Sequence, residues 1–371
     1  MNIKIITRHS PSNYGSLLQS IATIKAVEYI GHQCEIIDYQ RPDEQGLKGV
    51  LTQLKQKNDY NNPIKKLIYI IIRYPIEKFA QMKFDKMRNK YLKMTARCSN
   101  QKDLKQLSAD VFVTGSDQVW GPMMNGIYDD AYFLKFANKE KRKVAYAASF
   151  GKTKFEDAVI SEYHDLLDKY DKIAVREYSA VALMKEWRLE NCIGQVLDPT
   201  LLLDKNEWKK MLRKDKSSHK WENKKYILIY QIHNDPKLSE YAKRLAKYTN
   251  INLVRVNPML HQFFRGGRFV YCPDLDEFIA LIDNASYIVT DSFHGTCFAI
   301  NFNKQFIEIL PNNATSTRNQ CLLELTGLSD RILHDFEDFS LANKMIDFRK
   351  VDDIIVRERR RSMEIMKTLI S

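Results

Sequence analysis

The sequence predicts an α/β protein of two domains, each built on a parallel sheet. Three observations lead there. Short apolar runs rich in Ile and Val recur along the chain, and each passes through a polar loop into a segment of helical spacing. The order repeats in both halves of the 371 residues, a length suited to two ordinary domains. Hydrophobic residues make up 44% of the chain, enough for two cores.

Taken in order, the first strand is expected over Ile3–Thr7, followed by the loop RHSPSNYGS and a helix over about Ser16–Ile30. Leu17, Leu18, Ile21, Ile24 and Val27 recur at helical spacing, and Gly31 stands where a glycine ends a helix. CEIIDY, Cys34–Tyr39, is a second strand and completes a β-α-β unit with a right-handed crossover. A basic insertion over about 46–102 reads as two helices split near Pro63 and Pro75. The sheet resumes at Val111–Thr114, with GSDQ as a turn, and again at Val144–Ser149. Lys172–Glu177 follows and leads into a helix over Ser179–Glu186. GQVLDPTLLL, Gly194–Leu203, is a strand running into a proline-containing loop.

A second domain is expected from Asp204. WKKMLRKDKSSHKWENKK is polar and reads as surface. Next come a strand (Tyr226–Ile232), a helix (Lys237–Tyr248), a strand (Asn252–Val256) and a helix (Leu275–Asp283). YIVTDSFHGTCFAI is again strand, loop and helix, Gln305–Leu310 is a strand, and a charge-paired helix begins near Lys350. The expected domains are 1–203, 204–333, and a helical tail at 334–371 packing back on the first.

Composition removes several function classes. Met1 leads straight into NIKIITRH with no apolar leader, and no run of about 18 apolar residues occurs, so neither a secretory signal nor a membrane span is expected. Six scattered cysteines (Cys34, Cys98, Cys192, Cys272, Cys297, Cys321) form no CxxC pair, which suits a reduced, cytoplasmic protein without a structural metal. GxGxxG, P-loop, HExxH and GxSxG patterns are absent. The net charge is +12, but Lys48–Lys102 holds fourteen Lys/Arg against Asp59, Glu77 and Asp85, a local +11. The remainder is near neutral, so no nucleic-acid partner is expected. The stretch PIKKLIYIIIRYPIEKFAQMKF suits a cationic helix on anionic lipid, or an insertion whose cations are simply solvated.

In parallel sheets ligands bind beyond the carboxyl ends of strands, where the polar loops of this chain fall. His294, in TDSFHGTCFAI, stands where a strand becomes a helix. A helix N-terminus favours anions, Gly295 lets a ligand approach the backbone, and a histidine there can act as acid or base. The alternative is a capping loop with Asp291 or Ser292 as cap and His294 packed. Asn13, Tyr14 and Gly15 form either a polar floor or a tight turn before a helix capped by Ser16. Ser116, Asp117 and Gln118, before Trp120, can grip sugar hydroxyls or simply turn the chain. Arg176 can bind a carboxylate or phosphate, or pair with Glu177. Arg318 precedes an apolar helix, another anion-friendly place. Together they fit an anionic small donor and a hydroxylated acceptor.

NYGSLLQSIA, VTGSDQVW, AYAASFG, IAVRE, VLDPTLLL and TDSFHGTCFAI, in that order, resemble the polysaccharide pyruvyltransferase family over about residues 3–333. The resemblance implies a GT-B-like fold: two Rossmann-like domains facing a central cleft, closed by a C-terminal helix. It implies transfer of pyruvate from phosphoenolpyruvate, as co-substrate and without a cofactor or metal, onto two hydroxyls of a sugar. The product is a cyclic ketal in surface polysaccharide synthesis. His294 matches the family's catalytic histidine and Arg176 a donor-binding arginine, with Ser292, Gly295 and Thr296 beside the donor. The family often has R-x-H where this chain has Ser292, so Arg318 is the candidate replacement, ahead of Arg8 and Lys304. A polyprenyl-diphosphate-linked acceptor would place the protein at the inner face of the plasma membrane, through 48–102. A GT-B glycosyltransferase using a nucleotide sugar, or a non-catalytic glycan-binding relative, are the other readings.

Overall fold

The strand–loop–helix rhythm resolves into two separate parallel sheets. A computed structural model describes the chain except residues 42, 43, 45, 56–61, 124–127, 213–215 and 313–314. One compact unit comprises Met1–Pro199 with Glu364–Ser371, the other Thr200–Met363.

The first unit runs β1 (Asn2–Ile6), α1 (Tyr14–Tyr29), β2 (Gln33–Ile36), α2 (Gly46–Lys55), α3 (Pro63–Tyr91), α4 (Gln101–Lys105), β3 (Val111–Thr114), β4 (Arg142–Ala148), α5 (Asp157–Leu167), β5 (Lys172–Val175), α6 (Tyr178–Glu186) and β6 (Cys192–Gln195). The sheet order is β2-β1-β3-β4-β5-β6, every pair parallel. Helices cover such sheets on both faces, which is why β3 is buried at all four positions and reads as an unbroken apolar run. On one side an aromatic cluster forms the core, with Trp120 stacked on Phe133 and tilted against Phe150, and Phe150 against Tyr163 and Trp187.

The second unit runs α7 (Lys205–Leu212), β7 (Tyr226–Tyr230), α8 (Pro236–Thr249), β8 (Asn252–Asn257), β9 (Arg268–Tyr271), α9 (Leu275–Asn284), β10 (Tyr287–Thr290), α10 (Phe293–Asn301), β11 (Gln305–Glu308), α11 (Ser316–Thr326) and α12 (Phe348–Ile370) up to Met363. Its sheet order is β11-β10-β7-β8-β9, also parallel throughout.

Four features differ from the sequence reading. The division falls at 199/200, and of the expected tail only Glu364–Ser371 groups with the first unit, where Arg142 Nη1 donates to the Ile370 carbonyl at 3.1 Å. The expected surface segment is anchored at two of its described residues: Trp208 and Trp221 are buried, donating to the Thr200 carbonyl (3.1 Å) and Glu277 (3.0 Å). Its average polarity concealed two aromatic anchors. Pro75 does not split the insertion; α3 runs through it, with the proline on the exposed side where its ring meets little protein. Helix α5 and edge strand β9 went unread, β9 because two glycines precede only four residues.

Candidate functional site

Polar side chains gather beyond the carboxyl ends of the strands in each unit, and the two collections differ in charge.

In the first unit, Arg176 leaves β5 and is buried. Its Nε donates to Glu177 Oε1 at 2.7 Å and its Nη1 to Asp198 Oδ2 at 3.1 Å. Ser116 Oγ donates to the same Asp198 oxygen at 2.9 Å. Burial alone would push the guanidinium down, but Glu177, Asp198 and Asp117 outweigh it and hold Arg176 firmly charged. Asp117 adopts a left-handed φ of 77° and accepts from Ser16 Oγ at 3.0 Å. Gln118 is half-buried, and its side chain occupies the place a Cβ would take at Gly151. Asn13 caps α1, its Oδ1 accepting the amides of Gly15 (2.8 Å) and Ser16 (3.3 Å). Tyr14 is buried with its ring against Phe84, centroids 4.9 Å apart. Arg8 pairs with Glu44. Two arginines, Arg8 and Arg176, thus stand against four carboxylates, Glu44, Asp117, Glu177 and Asp198. Such a floor suits hydroxyl donors better than another anion.

In the second unit, Thr290 Oγ1 donates to the Tyr230 carbonyl (2.7 Å) and accepts from the Ser292 amide (3.0 Å). The Asp291 carboxylate accepts the amides of Ile232 (2.7 Å) and His233 (3.0 Å), joining the ends of β10 and β7. Ser292 caps α10 by accepting from Gly295. A Cβ at Gly295 would lie 2.2 Å from Thr290 Oγ1 and 3.1 Å from the Tyr230 ring, so the helix sits this close to the strand only with glycine there. His294 is in the first turn of α10, its ring edge-on to Phe293 at 5.3 Å. Arg318, in α11, places its guanidinium over the same Phe293 ring at 5.7 Å. Phe293 is therefore a shared neighbour of His294 and Arg318, which 23 intervening residues separate in sequence. Lys304 precedes β11, at the amino end of the strand beside β10, and donates to the Asp283 carbonyl.

Three residues went unread in the sequence. Glu308 Oε2 accepts from Thr296 Oγ1 and Oε1 from Asn319 Nδ2, each at 2.5 Å, clamping α10 and α11 to β11. Its only signal was a carboxylate inside the apolar strand QFIEIL. His233 and Arg265 come from the loops after β7 and β8. His233 Nδ1 is 3.6 Å from Asp291 Oδ2, and Arg265 donates to Asn234. No spacing rule joins them to His294; only the order of strands does. Nearby, buried Arg255 donates to Gln231 (2.9 Å), Gln262 (3.1 Å) and Ser239 (2.9 Å), none of them a carboxylate. Burial, then the charge of Arg265, pushes Arg255 down to about 10, so it still carries its charge at neutral pH. This edge brings Arg255, Arg265 and His233 near Asp291, and Arg318 and His294 to the Phe293 ring, three arginines to the carboxylates Asp291 and Asp235.

Burial pushes Glu308 up to about 8, against two hydrogen bonds that act the other way. Its folded value lies above the ordinary 4.5, so this site's contribution to stability is complete below about 4.5 and is lost as pH rises through about 8. Glu308→Gln retains the shape without the charge. Across that window, denaturation curves should show the wild type losing stability relative to the variant. Parallel curves would mean that Glu308 is ionised in the fold.

Among the described residues, no group of three or more His, Cys, Asp or Glu could hold a metal ion. The family profile described as polysaccharide pyruvyl transferase matches residues 13–313. Solved structures similar to the chain include the UDP-GlcNAc 2-epimerase of Methanocaldococcus jannaschii in complex with UDP-GlcNAc and UDP. It is 15% identical, covers 100% of this chain and 99% of that one, and gives a TM-score of 0.53. The UDP-GlcNAc 2-epimerase of Neisseria meningitidis bound to UDP-GlcNAc is 12% identical over 100% and 99%, with a TM-score of 0.51. The S. aureus MnaA–UDP structure is 14% identical over 98% and 90%, also at 0.51. At these identities the likeness concerns the fold, which is GT-B-like. Comparison with curated proteins gave no match.

Proposed function

The chain belongs to the polysaccharide pyruvyl transferase family, and from that premise we propose that it moves pyruvate from phosphoenolpyruvate onto two hydroxyls of a lipid-linked sugar as a cyclic ketal. The observation that carries the reading is the charge contrast between the two strand-end clusters. Phosphoenolpyruvate brings a carboxylate and a phosphate, and the strand ends of the unit that holds His294 gather three arginines, Arg255, Arg265 and Arg318. A sugar brings hydroxyl donors, and the floor around Asp117 and Asp198 supplies acceptors.

In this mechanism His294 protonates the methylene carbon of the donor, making its neighbouring carbon electrophilic. One sugar hydroxyl adds there, the carbon–oxygen bond to phosphate breaks, and the second hydroxyl closes the ketal. Of the two hydroxyl protons released, one replaces that given by His294 and the other leaves with phosphate. Arg318 takes the place that an arginine at Ser292 would have filled, and Arg265 is the second cation. The start of α10, with Ser292, Gly295 and Thr296, receives the phosphate. Arg176 orients Asp198 and Ser116 rather than touching the donor. Asn13 and Tyr14 act through the shape of the α1 turn, leaving Asp117 and Gln118 to meet the acceptor. Phosphoenolpyruvate is a cytoplasmic metabolite, so the reaction is placed in the cytoplasm, at the inner membrane face when the acceptor is lipid-linked.

The test is phosphate release from phosphoenolpyruvate over a panel of lipid-linked and aryl-linked hexosides, with product masses. A gain of about 70 mass units with phosphate release establishes the ketal. Turnover of a UDP-sugar with none of phosphoenolpyruvate would replace this reading with glycosyl transfer. Arg318→Ala should raise the donor KM by about tenfold to a hundredfold, the size of one charge-assisted contact, with unchanged unfolding. An unchanged KM would remove Arg318 from the donor site.

A further inference from the structure

Helix α3 carries an apolar stripe that no part of the described chain covers. Ile64, Leu67, Ile68, Ile71 and Ile72 are each more than half exposed. At 3.6 residues per turn they share one face about 140° wide. The packed residues of the helix, Ala80, Phe84 and Met87, lie on the other side, with Phe84 against Tyr14. Further along, Lys78, Lys86 and Lys90 fall on the same side as the stripe and are exposed. Single exposed leucines are ordinary on protein surfaces; five large aliphatic residues in one row are a contact surface.

We infer that this face of α3 docks on an anionic lipid bilayer, lying in its surface. The apolar row enters the boundary between headgroups and acyl chains, and the lysines meet lipid phosphates. Charge selects this occupant over a second copy of the chain. The 48–102 segment carries +11, and two copies joined face to face would bring these charges together. The helix lies on the bilayer and does not cross it: among the described residues no helix is long and apolar enough to span. This inference rests on α3 alone and stands apart from the proposed reaction.

The test is co-flotation of the full chain with phosphatidylcholine vesicles, with and without phosphatidylglycerol; it needs neither donor nor acceptor. The wild type should float with the anionic vesicles only, and less at high salt. Ile68→Asp with Ile71→Asp should lower the bound fraction by about tenfold or more, since each change puts a charge where an aliphatic group entered lipid. Both positions are exposed, so the variant's melting temperature should match the wild type and confirm folding. Absence of wild-type binding, equal binding to uncharged vesicles, or wild-type-like binding by the folded variant would each overturn the inference. So would a lipid-free dimer, seen by analytical ultracentrifugation, that the double substitution dissolves.

Discussion

Replacing His294 with alanine is expected to lower ketal formation by a factor of about 100 to 10,000, the usual contribution of a positioned acid–base group. The expectation follows from placement. The ring is held in the first turn of α10 by the Ser292 cap, by the close approach that Gly295 permits, and by Phe293. Protonating carbon is harder than protonating oxygen, so bulk water is a poor substitute for a fixed acid at that point. Phosphate release at saturating donor measures the loss, and thermal unfolding separates it from collapse. His294→Gln, which keeps most of the bulk, should be equally inactive with a nearly wild-type melting temperature. Turnover near the wild-type rate in either variant would show that His294 only packs.

Arg176→Ala is expected to lose about 3–5 kcal/mol of folding stability, because Glu177 and Asp198 would remain buried without their cation. Urea denaturation should place this loss well beyond that of Arg318→Ala. Adding Asp198→Asn to Arg176→Met should recover part of it, by removing one of the stranded charges. A different result has a distinct meaning: if Arg176→Ala unfolds like the wild type and only the donor KM rises, Arg176 is a donor ligand after all. The two predictions concern the two units separately. His294 is expected to matter for rate and Arg176 for the integrity of the floor.

Much of this was legible in the chain. The recurring apolar runs gave β1, β3, β7 and β10 within a residue or so, because a strand buried on both faces must be apolar throughout. The strand-to-helix passage at TDSFHG placed His294 in the first turn of a helix, since an apolar strand run precedes it, Ser292 is a capping residue and an apolar run follows. Arg176 could be placed at the end of a strand but not assigned its partners; Glu177 is adjacent, whereas Asp198 arrives from 22 residues away across β6. Trp208 and Trp221 were hidden by the lysines around them. The face of α3 that packs could not be told from the face that does not, because apolar residues lie on both.

The sequence by itself determined two parallel α/β domains, the loops that end their strands and the position of His294, since these follow from local periodicity and backbone preference. The tertiary structure alone decided the charge environment within each unit. It set Arg176 between two carboxylates, drew Arg318 to the ring beside His294, gathered Arg255 and Arg265 near Asp291, and buried Glu308, which pushes its carboxyl up to about 8. An ionisable group takes its character from the charges and solvent within a few ångströms, and distant parts of the chain supply most of those neighbours.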